Sequence, residues 1–283
     1  MRSESRGKDA IYTLLDPALA AASLFRAFPS KQKRPVGLTV EHKHDNTHFL
    51  FTCYEWLDVR DQSILLAIVG LAGFGNDLLS AEDDSPIARQ LWSELHPLHD
   101  ALGGRATTLT TTCYKLLMAA NLNTSKDDYL RLKDSLYRLS QVGCRARRDG
   151  FDWSMRLLSV VTAPNGDVLI ALNSRFVQAL FDGQYVKICL RERRKLDGDP
   201  AKLLHAWLSA TVREDRECYW TGLDTVSQRV WGPVSLISST QRTRRAKIRE
   251  ALGEIGQIGW HLKFRGEGLR SQFRIHRPRI RSD

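Results

Sequence analysis

Several residues in this sequence have types and spacings that can do chemistry. His42-Lys43-His44 sets two imidazoles two positions apart, which places both on one face of a strand, and Tyr54 follows as a possible nucleophile. With a metal ion, such a set would nick a phosphodiester. Lys43 between the histidines, and the turn-like Asp45-Asn46 after them, point instead to exposed histidines near a hairpin tip. His276 and Arg279 stand at the His-x-x-Arg spacing of tyrosine recombinases, but no tyrosine follows them. His96 and His99 fall on one face of a helix expected over 86–101, without further metal ligands of suitable spacing. No Gly-x-x-x-x-Gly-Lys-Ser/Thr loop is present to cradle a nucleotide. The five cysteines, Cys53, Cys113, Cys144, Cys189 and Cys218, never form a Cys-x-x-Cys pair and read as free thiols. No catalytic residue, metal or cofactor is expected.

The strongest signal is a cluster of cations. Arg242, Arg244, Arg245, Lys247 and Arg249 crowd the first half of a helix expected over 239–257, with no acid before Glu250. Arg242, Arg245 and Arg249 recur at i, i+3 and i+7, so they lie on one side. A helix N-terminus is already partly positive, and each added cation there costs about 0.3–1 kcal/mol. Crowding that opposes stability implies an anionic partner. Arginine pairs bidentately with guanine, and Gln241 can address adenine or a phosphate. Ser239 or Thr240 is expected to cap the helix.

The element carrying these cations has an upstream echo. Leu132, Leu136, Leu139 and Val142 form a helical apolar stripe ending at Gly143, and Ile248, Leu252, Ile255 and Ile258 form another ending at Gly259. The offset is 116 residues throughout, and Gly150 and Gly266 keep it at two hairpin tips. A shorter helix precedes each stripe, at Cys113–Ala120 and Leu223–Trp231, and strand-like segments follow. The pattern predicts an α+β chain of two tandem winged helix-turn-helix domains, 1–185 and 186–283.

Charge follows the same division. The chain has 283 residues and a net charge of +10. Residues 1–188 carry 22 basic and 21 acidic side chains, against 20 and 11 in 189–283. A surplus confined to one third of the chain suits a polyanion, whose phosphates release counterions on binding. No basic amphipathic helix with a Trp/Phe face marks a membrane surface. The longest apolar run, Ile64–Phe74, is far below the roughly 20 residues that span a bilayer. A cytoplasmic protein is expected.

Around the basic helix the sequence resembles the IncQ-type plasmid replication initiators, the replication protein C family. The likeness runs from Leu24-Phe25-Arg26-Ala27 to about Pro278 and sharpens from Arg156-Leu157-Leu158-Ser159. It includes Ala171-Leu172-Asn173, Leu203-Leu204-His205, Asp224-Thr225 and Val230-Trp231. Ser239-Thr240, Arg242, Arg244-Arg245, Arg249-Glu250-Ala251-Leu252 and Gly259-Trp260 complete it. Residues 1–23 and roughly 30–112 match weakly, and Thr243 stands where a basic residue is usual. The resemblance implies binding to directly repeated sequences (iterons) at a plasmid origin, opening of adjacent AT-rich DNA, and recruitment of a plasmid helicase and primase. A winged-helix repressor would share the same face, and a rolling-circle nickase is the enzymatic alternative.

The expected DNA contacts are therefore Ser239, Thr240, Gln241, Arg242, Arg244, Arg245, Lys247 and Arg249 on the second helix. Lys263, Arg265, Arg270, Arg274 and Arg277 supply its wing and tail, which continues to Arg279 and Arg281. Lys126 and Arg131, with Arg145, Arg147 and Arg148 on the first wing, engage the neighbouring turn of duplex or, with a second copy of the chain, an association surface. On this placement Arg245 meets a base and Arg277 a phosphate.

Overall fold

The structure, a computed structural model, describes residues 11–28, 33–73, 77–181, 183–233 and 237–280. The chain opens with strand β1 (Tyr12–Leu15) and a single turn of helix, α1 (Pro17–Ala21), capped by the Asp16 carboxylate on the Leu19 amide at 2.9 Å. The helix expected over 16–28 stops there. Strands β2 (Val36–His44) and β3 (Thr47–Glu55) make a long hairpin whose turn holds Asp45 at φ 49°. Helix α2 (Val59–Ala72) starts on a capping box of Asp58 and Asp61 and is buried along most of its length. After β4 (Leu78–Leu79), helix α3 (Pro86–Glu94) ends well before residue 101. His96 and His99 both take positive φ in the turn around Pro97, beside β5 (Leu98–His99), and so share no helix face.

Strand β6 (Ala106–Thr111) leads into α4 (Cys113–Ala119), a turn with Asn121 at φ 56°, and α5 (Lys126–Ser140). Leu132, Leu136, Leu139 and Val142 are buried, as the stripe requires. Strands β7 (Gly143–Arg148) and β8 (Phe151–Arg156) then turn back through Gly150 at φ 68°. The single strand expected over 153–162 breaks at Leu157, whose amide binds the Val142 carbonyl, and continues as β9 (Leu158–Thr162) in another sheet with β10 (Val168–Leu172). One sheet runs β2-β3-β7-β8-β5 and the other β4-β6-β10-β9, with α6 (Ser174–Phe181) closing the unit.

The second unit is smaller. It comprises β11 (Val186–Cys189), a turn α7 (Leu190–Arg193), α8 (Asp199–Thr211), short strands β12 (Arg216–Glu217) and β13 (Thr221–Gly222), and α9 (Leu223–Trp231). Helix α10 (Ser238–Gln257) and the hairpin β14 (His261–Arg265) and β15 (Gln272–Arg277) complete it. Ile248, Ala251, Leu252 and Ile255 are buried. Gly259 and Gly266 sit at φ 102° and 69°, where a side chain would be strained, and a Cβ on Gly266 would also strike the Arg270 carbonyl. Gly143 serves a different end than the cap its spacing implied. Its φ is not positive, and a Cβ there would lie 2.6 Å from the Thr52 hydroxyl of β3.

A boundary at residue 185 separates two strands that pair with each other. Strand β1 runs antiparallel to β11, from Tyr12 opposite Cys189 to Leu15 opposite Val186. The fully buried Arg193 reaches from the second unit to the Ser63 hydroxyl of α2 at 3.2 Å and to the Lys202 carbonyl. Beside it, Glu192 accepts hydrogen bonds from His205 (2.8 Å) and from the Trp260 indole (3.0 Å) at the root of the hairpin. Burial pushes the His205 pKa below its usual value, which outweighs the pull of Glu192. Burial alone would raise Glu192, but its bonds to His205 and Trp260 hold it below the ordinary range.

His205 is neutral when folded, whereas in the unfolded chain it takes up a proton as pH falls below about 6.5. Its contribution to stability is therefore complete above that value and shrinks below it. Melting temperatures of the wild type are expected to fall more steeply between pH 7.5 and 5.5 than those of His205→Gln. Parallel curves would show that the folded state also binds that proton.

Candidate nucleic-acid interface

The buried stripe decides which way α10 faces. With about 100° per residue, Ile248, Ala251, Leu252 and Ile255 occupy one side, and Ser239, Arg242, Thr243, Ala246, Lys247 and Glu250 emerge on the other, all exposed. Arg242 and Lys247 have no hydrogen-bond or ion-pair partner among the described residues and point outward on the N-terminal half of the helix. Thr243 and Ala246 escaped the sequence reading, which followed charge. Measuring angles outward from the apolar stripe would have found them. The Thr243 hydroxyl bonds the Ser239 carbonyl at 3.1 Å.

The other cations of the cluster are held by the protein. Arg245 turns toward α9, where its Nε lies 2.7 Å from Asp224 and its Nη2 binds the Gln241 side-chain oxygen. Arg245 lies about 60° around the helix from Arg242, next to the buried stripe, so the shared face inferred from spacing divides. Arg244 stacks over Trp231 and donates to the Pro233 carbonyl. Arg249 lies over Phe264, 4.9 Å from its centroid, and donates to Ser271. These residues flank the outward face. The cap also differs from expectation: the helix begins at Ser238 after Ile237, without a side-chain cap, and Thr240 is half-buried.

The expected phosphate contact at Arg277 is contradicted. Arg277 is 4% exposed and donates to the carbonyls of Ser209, Val212 and Lys187, which fixes the end of β15 to α8 and β11. Arg277 lies on the inward side of the strand, alternating with the half-buried His276, a parity that net charge does not reveal. On the wing, Arg274 and Lys263 share Glu217, and Arg265 stacks on Trp220. Arg270 is exposed at the hairpin turn. Arg279 pairs with Asp215, and Arg281 lies outside the described residues.

In the first unit, Lys126 and Arg131 are exposed and stand 116 residues before Arg242 and Lys247. Asp134 stands likewise before Glu250, so both helices present two cations and then an acid in the same order. Helix α10 extends about one turn further at its N-terminus. The first wing departs from expectation. Strands β7 and β8 are interior to a five-stranded sheet, and Arg145 and Arg147 both engage Asp152, at 2.6 and 3.4 Å. Hydrogen bonding from Arg145 draws the Asp152 pKa down to about 2, so it remains an anion beside them. Arg148 has no acid partner among the described residues and stacks on Phe151.

The histidine pair gains no nucleophile. His42 and His44 share the side of β2 that bears Leu38 and Val40, whereas Tyr54 is on the opposite side of the hairpin, about 17 Å along it. Among the described residues no group of three or more His, Cys, Asp or Glu is placed to hold a metal, and no helix is long and apolar enough to cross a membrane. Burial pushes the Cys53 thiol up to about 12.

Comparison with known proteins decides the family. A family model described as replication protein C matches residues 11–279. The chain belongs to the replication protein C family. No curated protein matches this replication protein. In fold it is similar to the crystal structure of domains 2 and 3 of RctB, with a TM-score of 0.53, 13% identity, 92% of this chain and 97% of that one covered. A second RctB structure of the same domains gives a TM-score of 0.48 at 12% identity over 92% and 95% of the two chains. A crystal structure of Pi initiator protein in complex with iteron DNA gives 0.44 at 11% identity over 76% and 87%.

Two arginines close in sequence terms to the same expectation should therefore behave differently. Arg277→Ala removes a buried donor from the carbonyls of Ser209, Val212 and Lys187 and is expected to cost on the order of 3 kcal/mol of stability by denaturant unfolding. Arg242→Ala should leave stability unchanged within about 0.5 kcal/mol, as an exposed substitution does. Equal effects would contradict the placement.

Proposed function

We propose that this replication protein initiates plasmid replication by binding directly repeated duplex sequences at an origin through two winged helix-turn-helix modules, 1–185 and 186–283. The observation that carries this reading is the outward face of α10. Arg242 and Lys247 stand free on a helix oriented by a buried stripe, and Lys126 and Arg131 repeat them at the same offset on α5. Helix, turn, helix and hairpin recur in that order in both units, and membership of the replication protein C family and the fold likeness to a two-domain segment of RctB support the same reading.

In this arrangement α10 enters a major groove. Arg242 addresses guanine, while Thr243 and Ala246 offer methyl groups to thymine. Lys247 and Arg270 neutralise phosphates. Arg244, Arg245 and Arg249 brace the helix from its flanks and raise the local potential without leaving the protein surface. Helix α5 occupies the adjacent turn, with Lys126 and Arg131 on the backbone. Origin opening then follows from strain in the repeat array, and a plasmid helicase and primase complete the initiation complex. Ser239 and the Thr240 amide lie at the positive end of the helix, where a phosphate is favoured.

The test is a titration of the full chain against a duplex bearing its origin repeats, at two salt concentrations. Arg242→Ala should weaken binding by about 1–3 kcal/mol and relax preference at one base pair. Lys247→Ala should weaken all sequences alike and lower the salt slope by about 1. Unchanged affinity in both variants would refute the reading.

A further inference from the structure

The hairpin of the second unit has a second face, and α10 does not use it. Phe273, Ile275 and Arg277 are buried toward the helices, and Phe264, on the same side of the hairpin but still partly exposed, lies under Arg249 of α10. His261, Lys263 and Arg265 of β14, with Gln272, Arg274 and His276 of β15, therefore point the opposite way. The acids near that face are Glu217, shared by Arg274 and Lys263, and Asp215, shared by His276 and Arg279. Four permanent cations thus meet two carboxylates.

Aromatic rings lie beside this charge. The segment linking β12 to β13 crosses the edge of the same sheet and carries Tyr219 and Trp220. Tyr219 is 93% exposed, an unusual state for so large a ring. The Arg265 guanidinium lies 4.2 Å from the Trp220 centroid and is fixed by a 2.8 Å bond to Gln272, which holds a flat cation on the outer face. Duplex DNA offers base edges in its grooves and hides the flat faces of its bases. Planar rings beside cations match nucleotides whose faces are free, since stacking needs no particular base.

We infer that the outer face of the β12/β13–β15–β14 sheet, with Tyr219, Trp220 and Arg265 as its stacking platform, binds single-stranded DNA. The strand's bases stack on Tyr219 and on the Arg265–Trp220 pair, and Lys263 and Arg274 follow its phosphates. The residues of this face are distinct from those on the outward side of α10, so one module can hold duplex on the helix and a separated strand on the sheet. The inference goes beyond the duplex reading above and does not require it.

The experiment measures fluorescence anisotropy of a labelled 15-nucleotide oligothymidylate with the full chain, in parallel with the labelled repeat duplex. Tyr219→Ala, a substitution at an exposed position, should weaken the oligothymidylate complex by about 5- to 150-fold, while Tyr219→Phe retains it. Tyr219→Ala should change the duplex affinity by less than about twofold. The proposal is overturned if the wild type does not bind oligothymidylate, if Tyr219→Ala binds it as well as the wild type, or if both complexes weaken by the same factor. Binding of oligothymidylate without binding of the repeat duplex would defeat the duplex reading and leave this one standing.

Discussion

The arrangement depends on how α10 is seated. Four apolar side chains, Ile248, Ala251, Leu252 and Ile255, leave water together, and burial of that stripe contributes on the order of several kcal/mol. No other rotation of the helix about its axis hides them. The polar residues take their places around it: Arg242 and Lys247 emerge outward, Arg245 falls beside the stripe and finds Asp224, and Arg249 and Arg244 are drawn over Phe264 and Trp231. A positive end that opposes its own cations is tolerated because the seat does not depend on them.

The seat is itself tied to the rest of the chain. Trp260, three residues after the end of α10, donates to Glu192, which also receives His205. Arg277 ties the same end of the hairpin to β11, and β11 pairs with β1 at the opposite end of the sequence. Helix, hairpin and first unit are thus connected through buried polar contacts whose removal leaves donors or acceptors unmatched. The orientation of α10 and the hairpin is coupled in this way to the first unit.

Much of this was legible in the sequence because it rests on periodicity. The stripes at 132–142 and 248–258, the paired hairpin glycines and the charge surplus after residue 188 follow from the residues in order. What escaped has a common cause, a partner distant in sequence. Strand β1 has no pattern of its own until β11 is brought beside it. Arg277 reads as a tail cation until the parity of β15 turns it inward, and Arg145 reads as a wing cation until Asp152 faces it across the hairpin. Gly143 resembles a helix cap by position, yet its lack of a side chain makes room for Thr52. Tyr219 and Trp220 lie in a three-residue gap between two very short strands, where neither helical nor strand alternation applies.

The central claim is that the outward face of α10 lies in a major groove of duplex DNA. Methylation protection of guanine N7 over the origin repeats tests it most directly, since N7 is exposed only in that groove. Wild-type protein should shield a defined guanine in each repeat, and Arg242→Ala, at a concentration that restores occupancy, should return that one guanine to full reactivity. If every guanine stays as reactive in the complex as in free DNA, α10 is not in the groove.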